Sequence, residues 1–418
     1  MIAPAAVPLH AFSDHAAAAT TGSGKSPAAV ANLIDLKKLP RTIRTLVAMC
    51  FGTRWIRQRF KILRRLNQMI HAAIPMIDLN LVDVIGSKHG ASHSWSVAQC
   101  MSSCRHLVFS VVKVPLWKRA VNATKGSSSG PFNLRLHRPR AFKLRRENAL
   151  TGKVDQKFTI SMFSQFFKHV RTSSSTITIK NLRRHEKLYD VKFIGENAQD
   201  AGGPYRESWQ DFASEMMSQC IPLFLPVPNE QDSTSANRDQ WLPNPNPSGS
   251  DDNNGMSPLC YDAFLFCGQL LGIAMRNELC LPLNFASIVW KALSNDTLTM
   301  EDIYQVDSST RSIVNGIRNF DVEKNGKDGF LEIDLMFSCE TLNGQQIDLI
   351  ENGSTIQVTC DRREEYCTLL EDYRLHEFDT QLEVLRKGLS MIVPIKPLTL
   401  FTWSEVATLV TGRPGKIN

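Results

Sequence analysis

The chain has 418 residues, of which 43% are apolar, with a formal charge of +7. That length allows two or three domains, and that apolar content is ample for packed cores, which excludes a chain held extended by its own charge. The small net charge hides a division: residues 1–190 carry 31 Lys and Arg against 8 Asp and Glu, a net of +23, and residues 191–418 carry 17 against 33, a net of −16.

Taken in chain order, residues 1–31 (with AAAATTGSGKSPAAVA) are low in complexity and are expected to be disordered, and they lack the charged start and apolar run of a secretory signal. Gly22-Ser23-Gly24-Lys25-Ser26 has the look of a phosphate loop's end but follows no strand, so it is read as disordered sequence. A helical region is expected over residues 32–124. Its clearest part places Trp55, Ile56, Phe60, Ile62, Leu63, Leu66, Met69 and Ile70 at three- and four-residue spacings, with Arg54, Arg57, Arg59, Lys61, Arg64 and Arg65 between them. This basic 54–65 helix has two readings. It packs its apolar stripe on the chain's own acidic half, or it binds a nucleic acid, an anionic membrane or calmodulin. Weaker elements are read at Trp95–Met101 and Leu107–Trp117. The Gly/Ser-rich basic stretch from Lys125 is read as a flexible linker over residues 125–157, and Phe158–Val170 as a helix packing Phe163, Phe166 and Phe167 within a lead-in that runs to residue 184.

From Thr176 strand-like positions appear at Ile177, Ile179, Leu182, Leu188, Val191 and Phe193. A turn on Asp200, Gly202 and Gly203 follows, and Pro204 then opens a helix over Tyr205–Met217, where a missing amide hydrogen leaves nothing orphaned. Residues 221–228 read as extended and residues 229–257 as a Pro/Asn-rich loop without a packing pattern. Leu259–Asn277 reads as a buried helix whose Gly268 and Gly272 admit a close neighbour. Its apolar stretch, Tyr261–Met275, falls short of the roughly 20 residues of a bilayer span, so a soluble, cytoplasmic protein is expected. Further helices are read at Phe285–Ser294, Met300–Tyr304, Ser308–Phe320, Arg362–Tyr373, His376–Met391 and Thr402–Thr411. Strands are read at Leu331–Glu340 and Ile347–Thr359, broken by the Asn343-Gly344 and Asn352-Gly353 turns. The acidic run from Asp321 to Asp328 is read as a turn and not a calcium loop, because no bidentate glutamate completes the spacing. The fold class is therefore α+β, mainly helical, with small antiparallel sheets.

The ten cysteines form no paired CxxC arrays, and Cys100 and Cys104, four apart, lack a second pair or spaced histidines, so no zinc site is expected and reduced thiols are.

Several segments stand together in one order: LYDVKFIGENAQDAGGPYRESW (188–209), LFLPVPN, WLPNPNP, FCGQLLGIAMRNELCLPLNF, LTMEDIYQVD and LRKGLSMIVPIKPLTLFTWSEVATLVTG. This succession resembles the N-lobe of a HECT-type ubiquitin ligase over residues 185–418, and the upstream FGTRWIRQRFKILRRLNQMI is similar to what precedes that domain in giant HERC-type members. The resemblance implies an N-lobe made of a large helical subdomain and a small one that binds a ubiquitin-conjugating enzyme (E2). It also implies transfer of ubiquitin to a substrate lysine through a cysteine of a following C-lobe, without cofactor or metal. No cysteine here sits in the Thr-Cys-Phe setting of that nucleophile; Cys360 follows Thr359 but precedes Asp361. A fragment that binds an E2 without transferring ubiquitin is therefore expected, the alternative being a non-catalytic adaptor or competitor for E2 enzymes. By position, the resemblance assigns the E2 groove to Ile313 and Ile317 on a helix, Leu331 and Ile333 on a strand, and Tyr366 and Leu370 on the next helix. The competing reading of the same six residues is ordinary subdomain core.

Overall fold

The computed structural model describes residues 53–78, 96–126, 130–174, 177–196, 203–249 and 256–412. The low-complexity N-terminus, the helical pattern before Thr53 and the Asp200–Gly202 part of the expected turn lie outside the described residues. Two units separate: the described part of Met1–Ala123 with Lys396–Glu405, and Thr124–Ile395 with the described residues from Val406 on.

The first unit contains α1 (Thr53–Ala73), α2 (Val97–Ser103) and α3 (Ser110–Ala123). On α1 the inward positions Phe60, Leu63, Asn67 and Ile70, with Asn67 buried and the rest half-buried, alternate spacings of three and four, the signature of one packed helix face. Phe60 stacks on Phe109 with ring centroids 6.2 Å apart. The Asn67 amide donates to the Leu107 carbonyl at 2.9 Å and accepts from the Phe109 amide at 2.7 Å, so a buried polar side chain is satisfied from both sides. Lys113, also buried, donates to Glu405 at 2.6 Å, and Trp117 meets Phe401 edge-on at 6.2 Å.

The second unit opens with β1 (Phe132–Leu136) and α4 (Arg138–Thr151), where the sequence reading had a flexible linker. That reading is corrected, and the cause is long-range. Leu134 and Leu136 are buried because β1 pairs in parallel with β2 (Tyr189–Phe193), in register Leu134↔Val191. The basic residues are held by carboxylates of the helix Gly203–Met216: Arg138 reaches Glu207 at 2.7 Å, and Arg145 reaches Asp211 at 3.1 Å and the buried Glu215 at 3.2 Å. The boundary expected at residue 185 therefore does not divide the fold, since β1 and β2 lie on either side of it.

Between them stand α5 (Met162–Thr172) and the short α6 (Ile179–Leu182), which replaces the strand pattern read around Ile179. Its start is fixed by the Asn181 side chain accepting from the Thr178 amide at 2.9 Å, as in a capping box. Helix α7 (Gly203–Met216) follows, and the Phe166 ring of α5 sits at the centre of an aromatic core, 5.1 Å from Tyr189, 5.2 Å from Phe212 and 5.1 Å from Phe266. β3 (Phe224–Pro226) pairs antiparallel with β4 (Trp241–Pro243), inside the stretch read as a loop; Leu242 buried opposite Leu225 supplies the packing that its Pro/Asn-rich neighbours conceal.

Helix α8 (Pro258–Asn277) has 20 residues, extended beyond the sequence reading by the Ser257 side chain, which accepts from the Cys260 amide at 3.3 Å. It is long and apolar enough to cross a membrane, yet most of it is buried within the unit. Then come α9 (Ser287–Ser294), α10 (Met300–Tyr304), α11 (Ser308–Arg318), α12 (Val322–Leu331), the hairpin of β5 (Ser338–Glu340) and β6 (Gln346–Asp348), α13 (Arg363–His376), α14 (Asp379–Ile392) and α15 (Trp403–Thr411). Helices α8 and α14 approach backbone to backbone through glycines. A Cβ on Gly268 would stand 2.0 Å from the Leu385 carbonyl oxygen, and one on Gly388 would stand 2.0 Å from that of Leu265. Of the three two-stranded sheets among the described residues, two are antiparallel as expected, and β1–β2 is parallel.

Candidate functional site

The site assigned by resemblance lies in residues 308–376 and is built around one apolar cluster. Val314 and Ile317 of α11, Phe330 of α12, Phe337, Val358, and Tyr366, Cys367 and Leu370 of α13 form it. Helix α11 is started by Asp307, whose carboxylate accepts from the Thr310 amide at 2.9 Å, and it turns Thr310, Val314 and Ile317 inward. The acidic run after it is a helix and not a turn. Asp321 caps α12 by accepting from the Lys324 amide at 3.1 Å, and the helix bends at Gly326, whose φ of 72° suits a residue without a Cβ. Among the described residues no three His, Cys, Asp or Glu side chains converge as a metal site would require.

Phe330 claims the core at the end of α12, packed edge-on against Phe320 at 5.1 Å. The chain then turns: the Ile333 amide donates to the Phe330 carbonyl at 3.2 Å and that of Asp334 to Leu331 at 3.1 Å, with Asp334 at a φ of 52°. Leu331 and Ile333 are thus carried on a helix end and a turn and not on a strand. Strand pairing begins later, where the Val358 amide meets the Leu335 carbonyl at 2.7 Å, and it closes at the Asn343-Gly344 turn with Gly344 at a φ of 82°. The Gln357 side chain donates to the Leu331 carbonyl at 2.9 Å and pins the turn.

This arrangement divides the six assigned residues. Ile313, Leu331 and Ile333 are exposed, at 48%, 38% and 47% of their full surface. Ile317, Tyr366 and Leu370 are buried in the cluster, so they line the core and form no contact surface; Tyr366 donates its hydroxyl to the Ser338 carbonyl at 3.4 Å. Burial pushes the Tyr366 hydroxyl up to about 12.

A polar clamp that the sequence reading missed holds α10, α11 and α13 together. Arg318 donates to both oxygens of Glu371, at 2.9 and 2.8 Å, and to Glu364 at 3.0 Å, while the Tyr304 hydroxyl donates to Glu371. Burial works to raise the Glu371 carboxyl, but the hydrogen bonds from Arg318 and Tyr304 outweigh it and hold it below the ordinary glutamate value. Glu364 and Glu371 lie seven apart on α13 and so share a face, the one signal in the sequence that points to this clamp.

Among the described thiols, Cys100, Cys104 and Cys280 are exposed and the rest are buried or half-buried, the latter poorly placed for nucleophilic chemistry. Burial pushes Cys339 and Cys367 up to about 11 and Cys267 well above the ordinary thiol value. Cys360 is buried beneath the start of α13 with its sulfur 3.1 Å from Arg363 Nη1. A thiolate nucleophile needs the opposite setting, exposed and electropositive.

HECT-domain (ubiquitin-transferase) is the family that matches, over residues 210–418, half of the chain. The chain belongs to the HECT-domain family. This HECT chain is 31% identical over 361 residues to E3 ubiquitin-protein ligase HERC2 of Mus musculus, an alignment covering 86% of the chain and 7% of that relative. HERC2 of Homo sapiens gives the same figures. Probable E3 ubiquitin-protein ligase HECTD4 of Homo sapiens is 23% identical over 382 residues, covering 86% of the chain and 9% of the relative. The chain thus spans less than a tenth of the length of these curated relatives. An alignment of 361 residues also takes in sequence upstream of residue 210, where the HERC-type resemblance of the basic helix was read.

Proposed function

We propose that this HECT chain docks a ubiquitin-loaded E2 through Ile313, Leu331 and Ile333, as one step of E3-type transfer of ubiquitin to a protein lysine. The observation that carries the proposal is three large aliphatic side chains exposed to water on the elements whose other apolar side chains, the Phe330 and Tyr366 rings among them, fill one core. An exposed aliphatic anchor that becomes fully covered contributes roughly 1.5–3 kcal/mol, and a few such anchors account for most of a docking interface. Ile317, Tyr366 and Leu370 belong to the core of the same elements. The names of the relatives as E3 ubiquitin-protein ligases support the reaction class.

The raised Cys267, Cys339 and Cys367, and the lack of any Thr-Cys-Phe setting in the sequence, support a division of labour in which these 418 residues bind and do not themselves accept ubiquitin. A pull-down against a panel of ubiquitin-charged E2s tests both parts. At least one E2 is expected to be retained, with retention lost on Leu331→Ala or Ile333→Ala and no reducible ubiquitin adduct formed on the chain. A panel that passes unretained, or variants that retain an E2 as the parent does, contradicts the seat; a reducible adduct contradicts the division of labour. An adaptor or competitor would use the same seat.

A further inference from the structure

Helix α1 commits one face to its own unit and leaves another that E2 docking does not use. Its 21 residues, TRWIRQRFKILRRLNQMIHAA, contain six Arg and Lys and no Asp or Glu. Phe60 against Phe109 and the two bonds of Asn67 fix which way the helix is turned. At 100° per residue, the outward side then presents Ile62 and Met69 as a ridge, with Arg57, Lys61 and Arg65 along one flank and Arg59 along the other. All six side chains are exposed, Ile62 at 68% and Met69 at 67%. One helical heptad separates the two aliphatics, about 10 Å along the axis. The short turn that continues the helix, Ile74–Met76, adds an exposed Met76.

The cations alone suit any polyanion, and the ridge decides between them. A nucleic acid offers phosphates to Arg and Lys and stacking surfaces to aromatic rings, and it takes aliphatic side chains only where base steps are opened, whereas Ile62 and Met69 stand as a continuous aliphatic ridge. The interface of an anionic bilayer offers both partners at the right depth. Its headgroups carry phosphate and carboxylate groups, and an acyl boundary lies roughly 5–10 Å below them for aliphatic side chains. We propose that the outer face of α1 docks the chain on anionic lipid bilayers, with Ile62 and Met69 inserted at the headgroup–acyl boundary and Arg57, Arg59, Lys61 and Arg65 paired with headgroup anions. This is a peripheral attachment, since the inner face of the helix stays on its own unit.

Co-sedimentation of the full 418-residue chain tests it. The vesicles are phosphatidylcholine with about one quarter phosphatidylserine, and phosphatidylcholine alone, beside an anisotropy titration with single-stranded RNA. The chain is expected to sediment with the phosphatidylserine vesicles and not with phosphatidylcholine alone. Ile62→Ser with Met69→Ser, which keeps every charge, lowers partition about tenfold. Arg57→Gln with Lys61→Gln and Arg65→Gln lowers it about a hundredfold, near fivefold for each cation removed. All five positions are exposed, so thermal unfolding of both variants matches the parent. No sedimentation with phosphatidylserine vesicles overturns the proposal, as does a double variant that partitions like the parent, or RNA affinity that falls with the same double variant while vesicle binding does not.

Discussion

At the scale of single residues, the site turns on which of two equally spaced side chains faces water. Ile313 and Ile317 are four apart on α11, yet Ile317 is buried and Ile313 is not, because α11 has its inner stripe at Thr310, Val314 and Ile317 and Ile313 stands at its edge. Spacing tells which residues share a face and does not tell where the face stops. Tyr366 and Leu370 teach the same point, since their shared face is wholly interior. The consequence is measurable. Ile333→Ala is expected to weaken E2 binding about tenfold or more, at the scale of one covered aliphatic side chain, while leaving the unfolding midpoint of the free chain unchanged. Tyr366→Ala is expected to lower stability by about 3–5 kcal/mol in chemical denaturation, as for other large rings removed from a core, and any loss of binding follows the loss of fold.

Elements were legible in proportion to how local their causes are. Helix α8, its glycines and the β5–β6 hairpin could be read because caps, apolar runs and an Asn-Gly turn lie within each segment. The β1–α4 region could not, because Leu134 and Leu136 find their partners Val191 and Phe193 far along the chain, and Arg138 and Arg145 find carboxylates on α7. The glycine contact of α8 with α14 predicts that Gly268→Ala or Gly388→Ala destabilises by about 1–3 kcal/mol or more, since each new methyl group meets a backbone carbonyl that no side-chain rotation can move. The clamp between α11 and α13 predicts a pH dependence. The folded-state Glu371 carboxyl lies below its ordinary value of about 4.3. Its contribution is therefore complete above that pH and is lost as pH falls through the lower, folded-state value. Denaturant midpoints measured from pH 7 downward should fall less steeply at the acid end in Glu371→Gln than in the parent.

For the molecule as a whole, the opposite charges of the two halves do different work. Within the second unit, basic residues of α4 are neutralised by α7, so part of the early excess of cations is structural. On α1 the exposed cations stand without an acidic residue in the same helix. The family was readable from motif order in the sequence; of the six residues the resemblance named for E2 docking, three are exposed and three buried. Calorimetric titration of a ubiquitin-charged E2 into the 418-residue chain, compared with a variant carrying Ile313→Ala, Leu331→Ala and Ile333→Ala, tests the central claim most directly. Saturable binding by the parent and none by a variant that unfolds at the parent's temperature is the predicted result; equal affinity for both chains would contradict it.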